Sequence, residues 1–142
     1  MQKIMVPIDG SAGCENALRF AADLATRFDA ELELVYAYDT PGINFGGVVA
    51  FSKEDSLRAK AAATKTAFER AEAVLKEHKV LRRHVSLEGV PSVELINYAK
   101  KSRPFMVVMG SRGVATLDGI ILGSVSERVM RGADCPVTII KS

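Results

Sequence analysis

Residues Val107 to Val129 read VVMGSRGVATLDGIILGSVSERV. An apolar run ending at Met109 gives way to Gly110-Ser111-Arg112-Gly113, nine residues intervene, and Gly123-Ser124-Val125-Ser126 opens an amphipathic segment. The pattern is a strand feeding a glycine turn, then a second glycine turn at the head of a helix. The first N–H groups of a helix have no intrahelical partner and sit at the positive end of its dipole, and glycine lets a bulky anion approach the backbone. The stretch therefore predicts a phosphate site. A second reading stays open: Ser124 with Glu127 three residues on is a capping-box pattern, and Gly110 and Gly113 suit turn positions with positive φ. The two overlap, because a serine that caps one N–H leaves its neighbours free for a ligand.

Working outward, strand and helix signals alternate along the chain. Lys3 to Ile8 is apolar at nearly every position, as a parallel strand covered on both faces is. Asp9-Gly10-Ser11 breaks it, and Ser11 suits the cap of a helix in which Ala17, Ala21, Leu24, Ala25 and Phe28 form one stripe. Glu31 to Tyr38 is a second strand. Thr40 to Phe51, with Pro41, Gly42, Gly46 and Gly47, predicts a loop or lid. Leu57, Ala61, Thr64, Phe68, Ala71 and Leu75 have the spacing of one buried face on the longest helix. Val80 to Leu87, interrupted by Arg82, Arg83 and His84, suits an edge or partly exposed strand.

Pro91 starts a third helix with Val93, Ile96 and Ala99 inward, Phe105 to Met109 is a fourth strand, and a helix from Val125 to about Gly132 precedes a last strand from Val137 to Ile140. This alternation predicts a doubly wound five-stranded parallel sheet with helices on both faces. Such sheets bind ligands beyond the strand carboxyl ends, where the strand order reverses. In an order 3-2-1-4-5, Asp9 after the first strand and Gly110 to Gly113 after the fourth flank one crevice. Asp9 then reads both as a turn former and as a ligand group.

The chain has 142 residues, a mass of 15.3 kDa and a formal charge of +2, with 48% hydrophobic and 25% charged residues. That length predicts a single domain over residues 1–142, and the small charge argues against nucleic acid. A core strand beginning at Lys3 leaves no room for a signal peptide, and no apolar run approaches the roughly 20 residues of a membrane span, so a cytoplasmic protein without a membrane partner is expected. Cys14 and Cys135 fall in no metal or redox spacing and read as small buried hydrophobes. His78 and His84 have no acidic or thiol partner at ligand spacing and read as surface or strand histidines.

Over essentially its whole length the chain resembles the universal stress protein family. The resemblance rests on Pro7-Ile8-Asp9-Gly10-Ser11, on the Gly-x2-Gly-x9-Gly-Ser pattern from Gly110 to Ser124 with Ile120-Ile121-Leu122 inside it, and on Cys135-Pro136-Val137. It implies the strand order 3-2-1-4-5, an adenine nucleotide alpha hydrolase-like fold, and binding of ATP with Mg²⁺. On this resemblance Asp9 would hydrogen-bond near the adenine or ribose, with Pro7 and Ala37 in the base pocket. Gly110, Arg112 and Gly113 would wrap the ribose and phosphates, and Gly123, Ser124, Val125 and Ser126 would hold the β and γ phosphates. Pairing of last strands implies a homodimer through Val137 to Ile140.

Two departures, Cys14 where the family often has serine and Ala37 where it usually has valine, leave the phosphate ligands untouched. The chain has no Gly-x4-Gly-Lys-Ser/Thr loop, and Arg112 is the one cation inside the motif, so any ATP hydrolysis is expected to be slow. Asp118 in the spacer reads as a solvated loop carboxylate rather than a Mg²⁺ ligand. The expected function is a nucleotide-dependent stress-response switch or interaction module. The alternatives are a nucleotide-free or cyclic-nucleotide-binding partner module and an adenine-nucleotide hydrolase.

Overall fold

The computed structural model describes residues 1–39, 53–111 and 122–141. In chain order the elements are β1 (Lys3–Ile8), a 3₁₀ turn (Ala12–Cys14), α1 (Glu15–Phe28), β2 (Glu31–Tyr38), α2 (Lys53–Val74), β3 (Arg82–Glu88), α3 (Pro91–Ser102), β4 (Met106–Gly110), α4 (Ser124–Gly132) and β5 (Val137–Ile140). All strand pairs are parallel and the sheet order is β3-β2-β1-β4-β5, the predicted 3-2-1-4-5. The expected loop from Thr40 to Phe51 lies outside the described residues, as does the spacer through Ile121.

β1 sits at the centre, and its alternating side chains supply two cores. Ile4, Val6 and Ile8 pack with Ala17, Leu18, Ala21 and Phe68 of α1 and α2, whereas Met5 packs with Leu95, Val107 and Val129 on the α3 and α4 side. Both sheet faces are thus covered, which is why β1 carries an unbroken apolar run. The alanines of α1 bring that helix close to the sheet. Asp29, at φ 49°, then ends it, its N–H donating to the Ala25 carbonyl.

Several predicted faces shift. Leu18 and Ala22 join the buried stripe of α1, while Phe28 is half-exposed and meets the Phe105 ring at 5.5 Å. Phe68 and Ala71 of α2, and Leu75 just past its end, are buried as expected, but Leu57 is 55% exposed and Ala61 is exposed. A helix of 22 residues spans about 33 Å, longer than the seven-residue β3, about 23 Å, that it lies beside. Leu57 and Ala61 line an open groove with Tyr38, Ser86 and Glu88 of the strand ends and do not join the core. On α3, Ser92, Leu95 and Ala99 are buried and Ile96 packs against the core as predicted, with Val93 half-exposed. β3 begins at Arg82 rather than Val80, β4 begins at Met106 rather than Phe105, and β3 is an edge strand as predicted.

Cys14 and Cys135 are free thiols, Cys14 buried and Cys135 half-buried. The histidines do acquire acids through the fold. His84 Nε2 lies 2.8 Å from Glu72 Oε1 and its ring stacks on Phe68, while His78 Nε2 is 3.7 Å from Asp23. Among the described residues no helix is long and apolar enough to cross a membrane.

Candidate functional site

The strand order reverses between β1 and β4, so the loops leaving their carboxyl ends diverge and open a crevice. A cleft of about 260 Å³ lies there. Pro7, Asp9, Ala37, Gly110, Gly123, Ser124, Val125 and Ser126 all line it. Arg112 and Gly113, also predicted, lie outside the described residues. The remaining lining comes from Ile8, Cys14, Pro91, Leu95 and Met109.

The β1 end of the cleft is set by a tight turn. Gly10 has φ +76°, which favours glycine, and lets the chain reverse directly behind Asp9. Asp9 Oδ1 accepts hydrogen bonds from the Ser11 N–H at 2.9 Å and from the Ser11 hydroxyl. Contrary to the sequence reading, Ser11 caps no helix with its side chain and donates to Asp9 instead. Among the described residues Asp9 Oδ2 makes no hydrogen bond, and Asp9 is the only charged group among the lining residues. The Cys14 Sγ, 3.2 Å from the Ser11 carbonyl, closes the turn against α1, and burial pushes its thiol pKa up. Pro7, paired in register with Val35, contributes an apolar ring and no N–H.

The opposite wall is the head of α4. Its N-cap is Gly123, with φ −71° and no side-chain cap, so Ser124 occupies the first helical position. The capping-box reading is corrected by that one-residue offset: Glu127 pairs with Arg131 at 2.8 Å, and the Ser124 hydroxyl has no hydrogen-bond partner among the described residues. Gly110 is likewise no positive-φ turn residue. It closes β4 in register with Ile140. Ser126, 4% exposed, donates its hydroxyl to the Gly110 carbonyl at 2.9 Å, and the Gly123 N–H donates to the Ser111 carbonyl at 2.6 Å. These two bonds fasten the helix head to the strand end. The result is a helix N-terminus whose N-cap, Gly123, supplies no side-chain cap, and whose first-turn N–H groups have no side-chain partner among the described residues.

The universal stress protein family model matches residues 1–141. This chain belongs to the universal stress protein family. A universal stress protein of Methanocaldococcus jannaschii is 33% identical over 141 residues, covering 99% of this chain and 82% of that one. The fold of the universal stress protein UspA from Lactobacillus plantarum superposes with a TM-score of 0.84 over 98% of this chain and 97% of that one, at 24% identity. The universal stress protein from Archaeoglobus fulgidus in complex with dAMP matches with a TM-score of 0.70 at 25% identity, over 99% of this chain and 98% of its own.

In this universal stress protein the lining residues that sequence reasoning missed are the apolar ones. Met109 and Leu95 carry the same apolar signal as core positions, and only the topology turns them toward the cleft. Pro91 did offer a signal, since helix starts and strand ends share one rim of a doubly wound sheet. Among the described residues no group of three or more His, Cys, Asp or Glu side chains is arranged to hold a metal ion. Among the described residues the lining offers one carboxylate, Asp9, and the hydroxyls of Ser124 and Ser126.

Proposed function

We propose that this universal stress protein binds an adenine nucleotide, ATP with Mg²⁺, in the cleft between β1 and β4, and acts as a nucleotide-dependent switch or interaction module. The observation that carries the reading is the convergence of Pro7, Asp9 and Ala37 with Gly110 and the uncapped head of α4 on a single cleft. An apolar wall of Pro7, Ala37, Leu95 and Met109 suits the base, and Asp9 Oδ2, which has no hydrogen-bond partner among the described residues, suits an adenine amine or ribose hydroxyl. The first-turn N–H groups of Ser124, Val125 and Ser126, with the Ser124 hydroxyl, suit the β and γ phosphates. Gly110, Arg112 and Gly113 would wrap the ribose and phosphates. Binding of dAMP by the Archaeoglobus fulgidus relative supports the adenine assignment.

Mg²⁺, when bound, offsets phosphate charge. Hydrolysis is slow in this reading, because fast phosphoryl transfer needs cationic stabilisation and an oriented nucleophile. Self-association through β5 belongs to the same proposal: Val137 to Ile140 pair with β4 on one side and form the edge of the sheet on the other.

Calorimetric titration of the nucleotide-free protein with ATP, ADP, AMP and cyclic AMP, each with and without Mg²⁺, tests the reading. Micromolar ATP binding strengthened by Mg²⁺ supports it. Binding of cyclic AMP alone replaces ATP with the cyclic nucleotide, and no heat with any of the four refutes the site.

A further inference from the structure

We propose that Arg70, on α2, is a positioning residue of this site, an inference that rests on the nucleotide reading above. Arg70 is not among the residues that line the cleft. Its Nε and Nη2 donate to Glu15 Oε1 at 3.2 and 3.1 Å, which fixes the guanidinium against the start of α1. Nη1 is then left to donate to the Gly10 carbonyl at 2.9 Å. That carbonyl belongs to the same peptide unit as the Ser11 N–H, and the Ser11 N–H donates to Asp9 Oδ1. The Gly10–Ser11 peptide is thus pinned at both ends, by Arg70 on its oxygen and by Asp9 on its nitrogen. With its plane fixed, Oδ1 is held and Oδ2 is presented in one orientation.

α2 supports the same turn a second time. A Cβ at Gly10 would lie 3.7 Å from Ala67 Cβ, and Ala67 is one helical turn before Arg70 on the buried side of α2. A surface ion pair alone contributes little, and Arg70 is 45% exposed. Its weight lies in the carbonyl it orients, since a group that reads a ligand must be held in the productive geometry by its neighbours.

The test is a double-variant cycle on the full chain, with the Kd for ATP measured by calorimetry and Tm recorded for each protein. Arg70→Met, which keeps the stem and removes the donors, should raise the Kd about tenfold, the effect of losing one hydrogen bond to a charged group. Arg70→Lys, which reaches the carbonyl without clamping Glu15 at the same time, should fall between. Adding Arg70→Met to Asp9→Ala should weaken binding no further, because Arg70 acts through Asp9. An unchanged Kd in Arg70→Met, or penalties that add in the double variant, overturns the positioning role. Failure of the wild-type protein to bind ATP overturns the nucleotide reading beneath it. If Arg70→Met does not fold, the cycle is run with Arg70→Lys.

Discussion

Replacing Glu33 with glutamine keeps the shape of a β2 side chain and removes its charge. In the native protein that carboxylate is fully buried on the α3 side of the sheet. Arg83 donates to it, Ser102 Oγ donates at 2.6 Å, Tyr98 OH donates at 3.2 Å, and Lys3 Nζ lies 3.7 Å away. Desolvation pushes the Glu33 pKa up, but the hydrogen bonds from Ser102 and Arg83 and the Lys3 charge outweigh it and hold the group below its ordinary value. Breaking a buried ion pair from one side costs about 3–5 kcal/mol. Here Lys3 is 27% and Arg83 49% exposed, so both cations rehydrate when the charge is lost, and glutamine still accepts from Tyr98.

The expected loss is therefore about 2 kcal/mol at pH 7, or roughly 4–8 °C in Tm. The sign with pH follows from the depressed folded pKa. The stability that ionised Glu33 contributes is complete above the unfolded pKa of about 4.3 and is lost as pH falls through the folded value. Urea denaturation of both proteins at a series of pH values should give a gap widest above about pH 5 that narrows toward pH 3. A gap below about 0.5 kcal/mol at pH 7, within the range of ordinary surface substitutions, or one that does not change with pH, refutes the reasoning.

Asp9→Ala should cost about 1 kcal/mol of stability, the usual value of a lost cap, and weaken binding of adenosine-containing ligands more than of inorganic triphosphate, as read by urea denaturation and calorimetry. A loss of several kcal/mol with selectivity intact would make Asp9 a structural cap alone. Because burial raises its thiol pKa and it lines the cleft, Cys14 should react slowly with a maleimide, and saturating ATP should slow it further without protecting Cys135; mass spectrometry of the labelled protein separates the two. Thr138→Lys, on the edge strand β5 and outside both core clusters, should convert a homodimer to monomer in light scattering while leaving ATP affinity unchanged; a retained dimer removes β5 from the interface.

Much of the fold was legible because apolar runs such as Lys3 to Ile8 and Phe105 to Met109 mark parallel strands wherever they occur. The site was legible where glycine, proline and aspartate interrupt those runs, as at Pro7, Asp9, Gly110 and Gly123. What escaped was non-local. Helical periodicity does not record how closely a helix packs along its length, so Leu57 and Ala61, which line an open groove, read as core. In Glu31 to Tyr38 the alternation turns Glu33 away from Leu32 and Leu34, and only the docking of α3 shows that its own side is buried too, with donors drawn from β1, β3 and α3. The capping of the Ser11 N–H by Asp9, where the sequence suggested that Ser11 caps a helix, depended on a turn whose second anchor, Arg70, lies sixty residues away.

Mass spectrometry of the small molecules released on denaturing the freshly purified protein tests the central claim most directly. The release of ATP, with rebinding of ATP to the emptied protein that is lost on closing the α4 head with Gly123→Val, is the predicted result. Release of no nucleotide, together with no rebinding of ATP, ADP, AMP or cyclic AMP, would contradict it and leave the glycine stretch as a turn and a helix start.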